Sequence, residues 1–252
     1  MYGLFLVLPV FSVLALELEG ATSLLIGIAF GAYGVTQGLL QIPFGILSDR
    51  IGRKPVIMAG LFVFVLGSVI ASLTESVYWM IAARFLQGAG AVSSAIFALI
   101  ADLTRPEVRT RANAFLGGTI GLAFGLAILS APFLAKWFGL NGIFWLTAGI
   151  TLLSMGILLH GVPESESRTP SLEPQSVIAL LTAVFRQHPL QVINLGGFIC
   201  GTGLSATFFL VPLIMLTQGY ERVELWKVYL PMLVMGGLVM VPAAIIAETR
   251  NR

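Results

Sequence analysis

Eight long apolar runs dominate this chain, and only a lipid bilayer accommodates that many of them. They fall at residues 1–16, 24–47, 56–73, 77–100, 112–134, 143–159, 190–216 and 226–247. A helix crosses the hydrocarbon core with roughly 17–25 mostly apolar residues, so all but the shorter first run qualify outright. Hydrophobic residues make up 57% of the chain and charged residues 10%. The mean hydropathy is +0.95. A water-soluble domain needs more charge than this to cover its surface. Strands of a membrane barrel alternate apolar and polar side chains, and no such alternation appears. The expected fold class is an all-α membrane protein.

The connections between runs are short except for residues 162–189. This stretch holds Glu164, Glu166 and Glu173 together with serines and prolines, the composition of a polar linker. It divides the chain into a six-helix unit (1–161), a linker (162–189) and two further helices (190–252). Basic residues in short loops set orientation. One side holds Arg50, Arg53, Lys54, Arg105, Arg109, Arg111, Arg168, Arg186, Arg250 and Arg252, against Lys136, Arg222 and Lys227 on the other. The first side, which includes the linker, is therefore expected in the cytoplasm.

Several function classes drop out at this point. The net charge of +2 and the lack of arginine–aromatic interleaving argue against nucleic acid as a partner. The lone Cys200 excludes an internal disulfide framework, and His160 and His188 are too few and too far apart for a metal site. The stretch Gly201 to Ala206, GTGLSA, lies inside an apolar run with no strand before it, so it is no dinucleotide loop. With no phosphate-binding loop, no cofactor is expected. No nucleophile, metal cluster or carboxylate pair converges in a span, so the chain does not read as an enzyme.

One loop concentrates charge. In GILSDRIGRK, Gly45 to Lys54, four charges fall within six residues and two glycines accompany them. Glycine suits a tight reversal at the membrane surface, and basic residues there fix orientation and meet anionic lipid. Asp49 stands where it can accept from the free N–H groups of the next helix. A second pattern, Arg84, Gln87, Gly88, Gly90 and Ala91, follows in the fourth run.

These two patterns resemble the signatures of the major facilitator superfamily, between its second and third helices and on its fourth. The wording around them is most similar to the YajR-type branch of proton-driven exporters. The resemblance covers the whole chain and implies a twelve-helix fold in two bundles, of which about eight helices are present. It implies that Asp49, Arg50, Arg53 and Lys54 form a cytoplasmic charge network, with Arg53 paired to Asp102 at the inner end of the fourth helix. It also implies that Asp49 meets a helix end of the other half when the cytoplasmic side is shut. Topology alone is the plainer reading of the same charges.

Arg84 is the one charge well inside a span, roughly 12 Å along its helix at 1.5 Å per residue. A charge at that depth marks function by default, although a snorkelling arginine satisfied by backbone is the alternative. Tyr33, Gln37 and Gln41 recur every four residues and share one helix face, which suits a cavity wall or a partner helix. Gln87 and Asn194 are further cavity candidates. The third and sixth helices show no polar stripe, as suits a lipid-facing position. Gly117, Gly121 and Gly125 permit close packing of the fifth helix, but the proline and glycine pattern usual for proton antiporters of the family is incomplete around Pro132. Cys200 reads as a small apolar filler, and Pro9, Pro212, Pro231 and Pro242 as kinks or helix ends.

The resulting expectation is a secondary transporter of the bacterial inner membrane that exports small amphipathic compounds in exchange for protons. An importer of sugars or metabolites, or a truncated membrane protein that acts by association, are the alternatives. The short first run and the ending at Glu248, Arg250 and Arg252 are expected of a fragment lacking the start of the first helix and the last four helices.

Overall fold

The computed structural model describes residues 1–90, 92–163, 182 and 187–250, with side chains described up to residue 239. Ala91 and most of the linker, including Glu164, Glu166, Arg168, Glu173 and Arg186, lie outside the described residues, as do the side chains of Pro242, Glu248 and Arg250 and the whole of Arg252. The described elements are helices: α1 (Tyr2–Val7), α2 (Phe11–Leu14), α3 (Ser23–Ile51), α4 (Arg53–Leu73), α5 (Val77–Ala89), α6 (Ser93–Leu103), α7 (Arg109–Gly161), α8 (His188–Thr217) and α9 (Trp226–Arg250), with three short 3₁₀ turns.

Helix boundaries follow local chemistry. Pro9 has no N–H to donate, and the first run breaks there into α1 and α2 instead of forming the single span expected. Thr22 caps α3 by accepting from the Leu25 N–H at 3.2 Å. α3 ends at Gly52, whose φ of 105° is open only to glycine at little cost, so α4 starts one residue later. The fourth run is likewise divided, with α5 stopping at Gly90 and α6 starting at Ser93.

α7 merges the fifth and sixth runs into one helical segment, but Gly139 (φ 63°, ψ −169°) breaks it. The chain reverses there. Ser130 accepts or donates with the Tyr2 hydroxyl at 2.7 Å, while Thr147 donates to the Gly3 carbonyl at 3.0 Å. A straight helix would hold those two residues about 25 Å apart at 1.5 Å per residue, so they reach adjacent positions on α1 only if the limbs fold back.

Five described segments are long and apolar enough to cross a membrane: Ser23–Ile51, Arg53–Leu73, Val77–Leu103, Pro106–Gly161 and His188–Thr217. The chain is a multi-pass membrane protein. Large apolar side chains such as Phe62, Phe115 and Phe198 stand exposed along these segments, a surface that lipid and not water covers. Tyr78, Trp79 and Trp137 are exposed near the Gly139 end, where amphipathic rings mark the lipid–water boundary.

The bundle has two chemically different ends. At one, the Glu19 N–H donates to the Glu75 carbonyl at 2.7 Å and the Val77 N–H to the Glu19 carbonyl at 3.1 Å, bridging the α2–α3 and α4–α5 connections beside Gly139. The other end carries Arg50, Arg53, Lys54 and Asp102. We call these the acidic and basic ends. The larger core, built on Leu6, Phe11, Ile26, Met80, Phe144, Phe208 and Tyr229, joins α8 and α9 to α1–α5 and α7. A smaller core, Val56, Ile57, Ala95, Leu99 and Leu158, lies at the basic end.

Candidate functional site: a buried arginine and two charged rims

α5 is wedged between α3 and α4 by its glycines. A Cβ on Gly88 would stand 2.4 Å from the Tyr33 carbonyl oxygen, and one on Gly90 2.6 Å from that of Gly60. Real side chains do not fit at those distances, so backbone meets backbone on both sides of α5. The contact is continued by Gly67 of α4, where a Cβ would stand 2.7 Å from the Gln87 Cγ and backbone N. Gly45, by contrast, only faces Ser94 at an ordinary 3.4 Å.

This seam encloses Arg84, which is 1% exposed. Its guanidinium donates from Nη1 to Gln87 Oε1 at 2.8 Å. Gln87 Nε2 donates to Ser68 Oγ at 2.8 Å, and Ser68 donates to the Phe64 carbonyl at 2.8 Å. The Arg84 Cζ lies 4.8 Å from the Tyr33 ring centroid and 5.4 Å from that of Phe11. Desolvated cation–π contacts of this kind contribute about 2 kcal/mol each. None of these partners is a carboxylate, and Arg84 Nε has no acceptor among the described residues. The site holds a positive charge without neutralising it.

Tyr33 and Gln37 also line a cavity of about 520 Å³ whose other walls are mainly apolar, among them Leu61, Phe64, Ile96 and Leu99. Gln41 is not among its walls; its backbone carbonyl accepts from Ser94 Oγ at 2.8 Å. Asn194 stands exposed on α8, so the structure does not bring it to this cluster. Thr207 donates to the Gly203 carbonyl of its own helix. Two expectations are corrected here. Cys200 is exposed and does not fill a core. Gly117, Gly121 and Gly125 meet no described neighbour within 4 Å, so they pack no helix among the described residues.

At the basic end, Arg53 joins three elements. Its Nε pairs with Asp102 Oδ2 of α6 at 2.9 Å, its Nη1 donates to Ser48 Oγ of α3 at 2.8 Å, and it pairs with Asp49 one turn earlier. Ser48 in turn donates to the Gly45 carbonyl at 2.7 Å. Lys54 donates to the carbonyls of Val162 at 2.6 Å and Leu159 at 3.4 Å, where α7 leaves backbone acceptors unpaired and the helix dipole is negative. Arg50 points to the exposed surface.

At the acidic end the contacts run between residues 1–161 and the last two helices. Arg222 pairs with Glu17 at 2.5 Å, and the buried Tyr229 hydroxyl donates to the Pro9 carbonyl at 3.0 Å. Phe208 meets Phe124 edge-on with centroids 5.9 Å apart, and Phe209 meets Phe30 at 5.8 Å. Apart from Pro9, read as a kink or helix end, and Arg222, counted as a loop charge, none of these residues was singled out from sequence, nor was Ser68, which lies on a helix expected to face lipid. Short serine and loop arginine side chains carry no periodic signal that separates them from their many neighbours.

The described membrane bundle thus combines glycine-seated helices, a buried arginine and a charged turn between α3 and α4. The sequence profile of the Major Facilitator Superfamily matches residues 1–252. The chain belongs to that superfamily. It is 40% identical over 252 residues to the inner membrane transport protein YajR of Escherichia coli K12, covering all of this chain and 56% of that protein. It is 26% identical over 219 residues to the multidrug resistance protein MdtL of Shewanella sp. ANA-3, covering 86% of this chain and 50% of that protein. Among solved structures, a D-xylose–proton symporter superposes with a TM-score of 0.69 at 18% identity over 98% of this chain and 66% of that one, a likeness of fold. The chain spans about half the length of the curated relatives it matches.

Proposed function

We propose that the full-length protein is a secondary active transporter of the bacterial inner membrane that exports small amphipathic compounds against protons by alternating access. The observation that carries this reading is Arg84, a guanidinium held in the bundle interior by an amide and two rings, with no carboxylate to neutralise it. Such a charge repels protons and cations from its surroundings and lowers the cost of an anionic carboxylate brought near it, so it can bias a titrating group elsewhere in the pathway. The relation to proteins named for multidrug resistance supports export of amphipathic compounds over import of sugars.

The two rims supply the gating. With the basic end placed in the cytoplasm, the Asp49–Arg53–Asp102 network and Lys54 form the inner rim, and Glu17, Arg222 and Tyr229 close the outer one. Tyr33 and Gln37 present polar groups along the route between them, and Gln87 acts on it through Arg84. Substrate then enters from the cytoplasmic side, between the first bundle and α8.

The test is accumulation of a fluorescent amphipathic dye in cells producing the full-length protein. Producing cells are expected to hold less dye than cells with an Arg84→Ala variant, and a protonophore is expected to abolish the difference. Equal dye in both, or a difference that survives the protonophore, overturns proton-coupled export.

A further inference from the structure

The polar chain behind Arg84 has a fixed direction, and its last member, Ser68, lies outside both charged motifs of the sequence. Ser68 is fully buried on α4. Its hydroxyl hydrogen is committed to the Phe64 carbonyl one turn back, at 2.8 Å. The oxygen can then only accept, and it accepts from Gln87 Nε2 at 2.8 Å. An amide whose NH₂ end is so engaged must present its oxygen the other way, and that oxygen receives Arg84 Nη1 at 2.8 Å. The reverse amide orientation sets NH₂ against guanidinium, donor against donor. Gly67 makes the arrangement possible, since any side chain there would collide with Gln87 and hold α4 away from α5.

We infer that Ser68 is a positioning residue for Arg84: through the Gln87 amide it holds the guanidinium between Phe11 and Tyr33. The inference rests on the reading of Arg84 as a transport residue for its consequence, but not for its geometry. Without the Ser68 oxygen, the Gln87 NH₂ is left buried with no acceptor in an apolar seam, a state that proteins avoid by rotating the group away. Rotation takes Oε1 from Arg84, whose Nε already lacks an acceptor. The guanidinium then has one hydrogen bond fewer and moves along the Tyr33 ring toward the cavity that Tyr33 borders.

Two variants separate this from simple packing. Ser68→Ala removes both the hydroxyl and some volume. Ser68→Cys keeps the volume but replaces the oxygen by a poor acceptor. Both are made in the full-length protein, and the folded fraction is isolated by size exclusion in detergent. Modification of Arg84 by phenylglyoxal, a neutral lipid-permeant reagent, is followed by mass spectrometry, and dye efflux is followed in parallel. Arg84 is expected to resist modification in the parent and to react roughly tenfold faster in both variants. Efflux is expected to fall in both. Slow modification in Ser68→Cys with fast modification in Ser68→Ala would mean that Ser68 only fills space, and slow modification in both would mean that Gln87 needs no support. Either result overturns the inference. Absent efflux in the parent as well would count against the transport reading alone, because the modification rates still decide the role of Ser68.

Discussion

The two halves of α8 differ sharply. From Gln191 to Ala206 the helix is exposed on every side, with Ile193, Leu195, Phe198 and Ile199 each more than half accessible, while Phe208, Pro212 and Met215 are buried against the first bundle. The exposed half lies toward the basic end, and the buried half toward the acidic end. Among the described residues, contacts of the first 161 residues with α8 and α9 include Pro9, Glu17, Phe30 and Phe124 toward the acidic rim. At the other rim the described contacts of Arg53 join α3, α4 and α6. Among the described residues, one rim is thus marked by contacts within residues 1–161 and the other by contacts from those residues to α8 and α9. On the proposed reading, the outer rim is closed in this arrangement.

That difference sets the order of three mutational effects. The largest is expected at the inner staple. Asp102→Asn leaves the largely buried Arg53 with one carboxylate in place of two, and loss of a partner to a buried charge costs about 3 kcal/mol or somewhat less at this partial burial. Because the described Arg53 contacts tie α3, α4 and α6 together, the loss is expected to appear as a lower melting temperature in detergent. A change in transport rate with an unchanged melting temperature would break the distinction between the rims.

Tyr229→Phe comes next. It removes a buried hydrogen bond to the Pro9 carbonyl while keeping the ring against Phe208, for a cost of about 1 kcal/mol. Spin labels across the outer rim are expected to show roughly a fivefold shift toward the outward-open population, with little change in melting. Glu17→Gln is the smallest. The Glu17–Arg222 pair is exposed and screened, so its loss is worth under about 1 kcal/mol and is expected to vanish at high salt. An outer-rim shift larger for Glu17→Gln than for Tyr229→Phe would mean that charge and not the buried core holds that rim.

Periodicity and composition made most of the spans and the reversal between the fifth and sixth runs legible in advance, and the family resemblance implied the pairing of Arg53 with Asp102. Those features depend on long runs or on a motif several residues wide. What stayed hidden depends on single contacts between distant residues. Ser68 looks like any small residue in an apolar helix until α5 lies against Gly67. Arg222 counts as one basic loop residue until Glu17, 205 positions away, comes beside it. The glycines at 117, 121 and 125 show the converse, a clear spacing with no described neighbour to use it.

The most direct test of the two-rim account is crosslinking across the outer rim. Cysteines at positions 17 and 222 of the full-length protein, joined by a short cleavable bifunctional thiol reagent, are expected to react readily in the absence of substrate. Dye efflux is then expected to stop and to return when the reagent is cleaved, because transport requires this rim to open. Efflux that continues through a crosslink formed in high yield would contradict the account, as would a pair that never crosslinks in a folded, active protein.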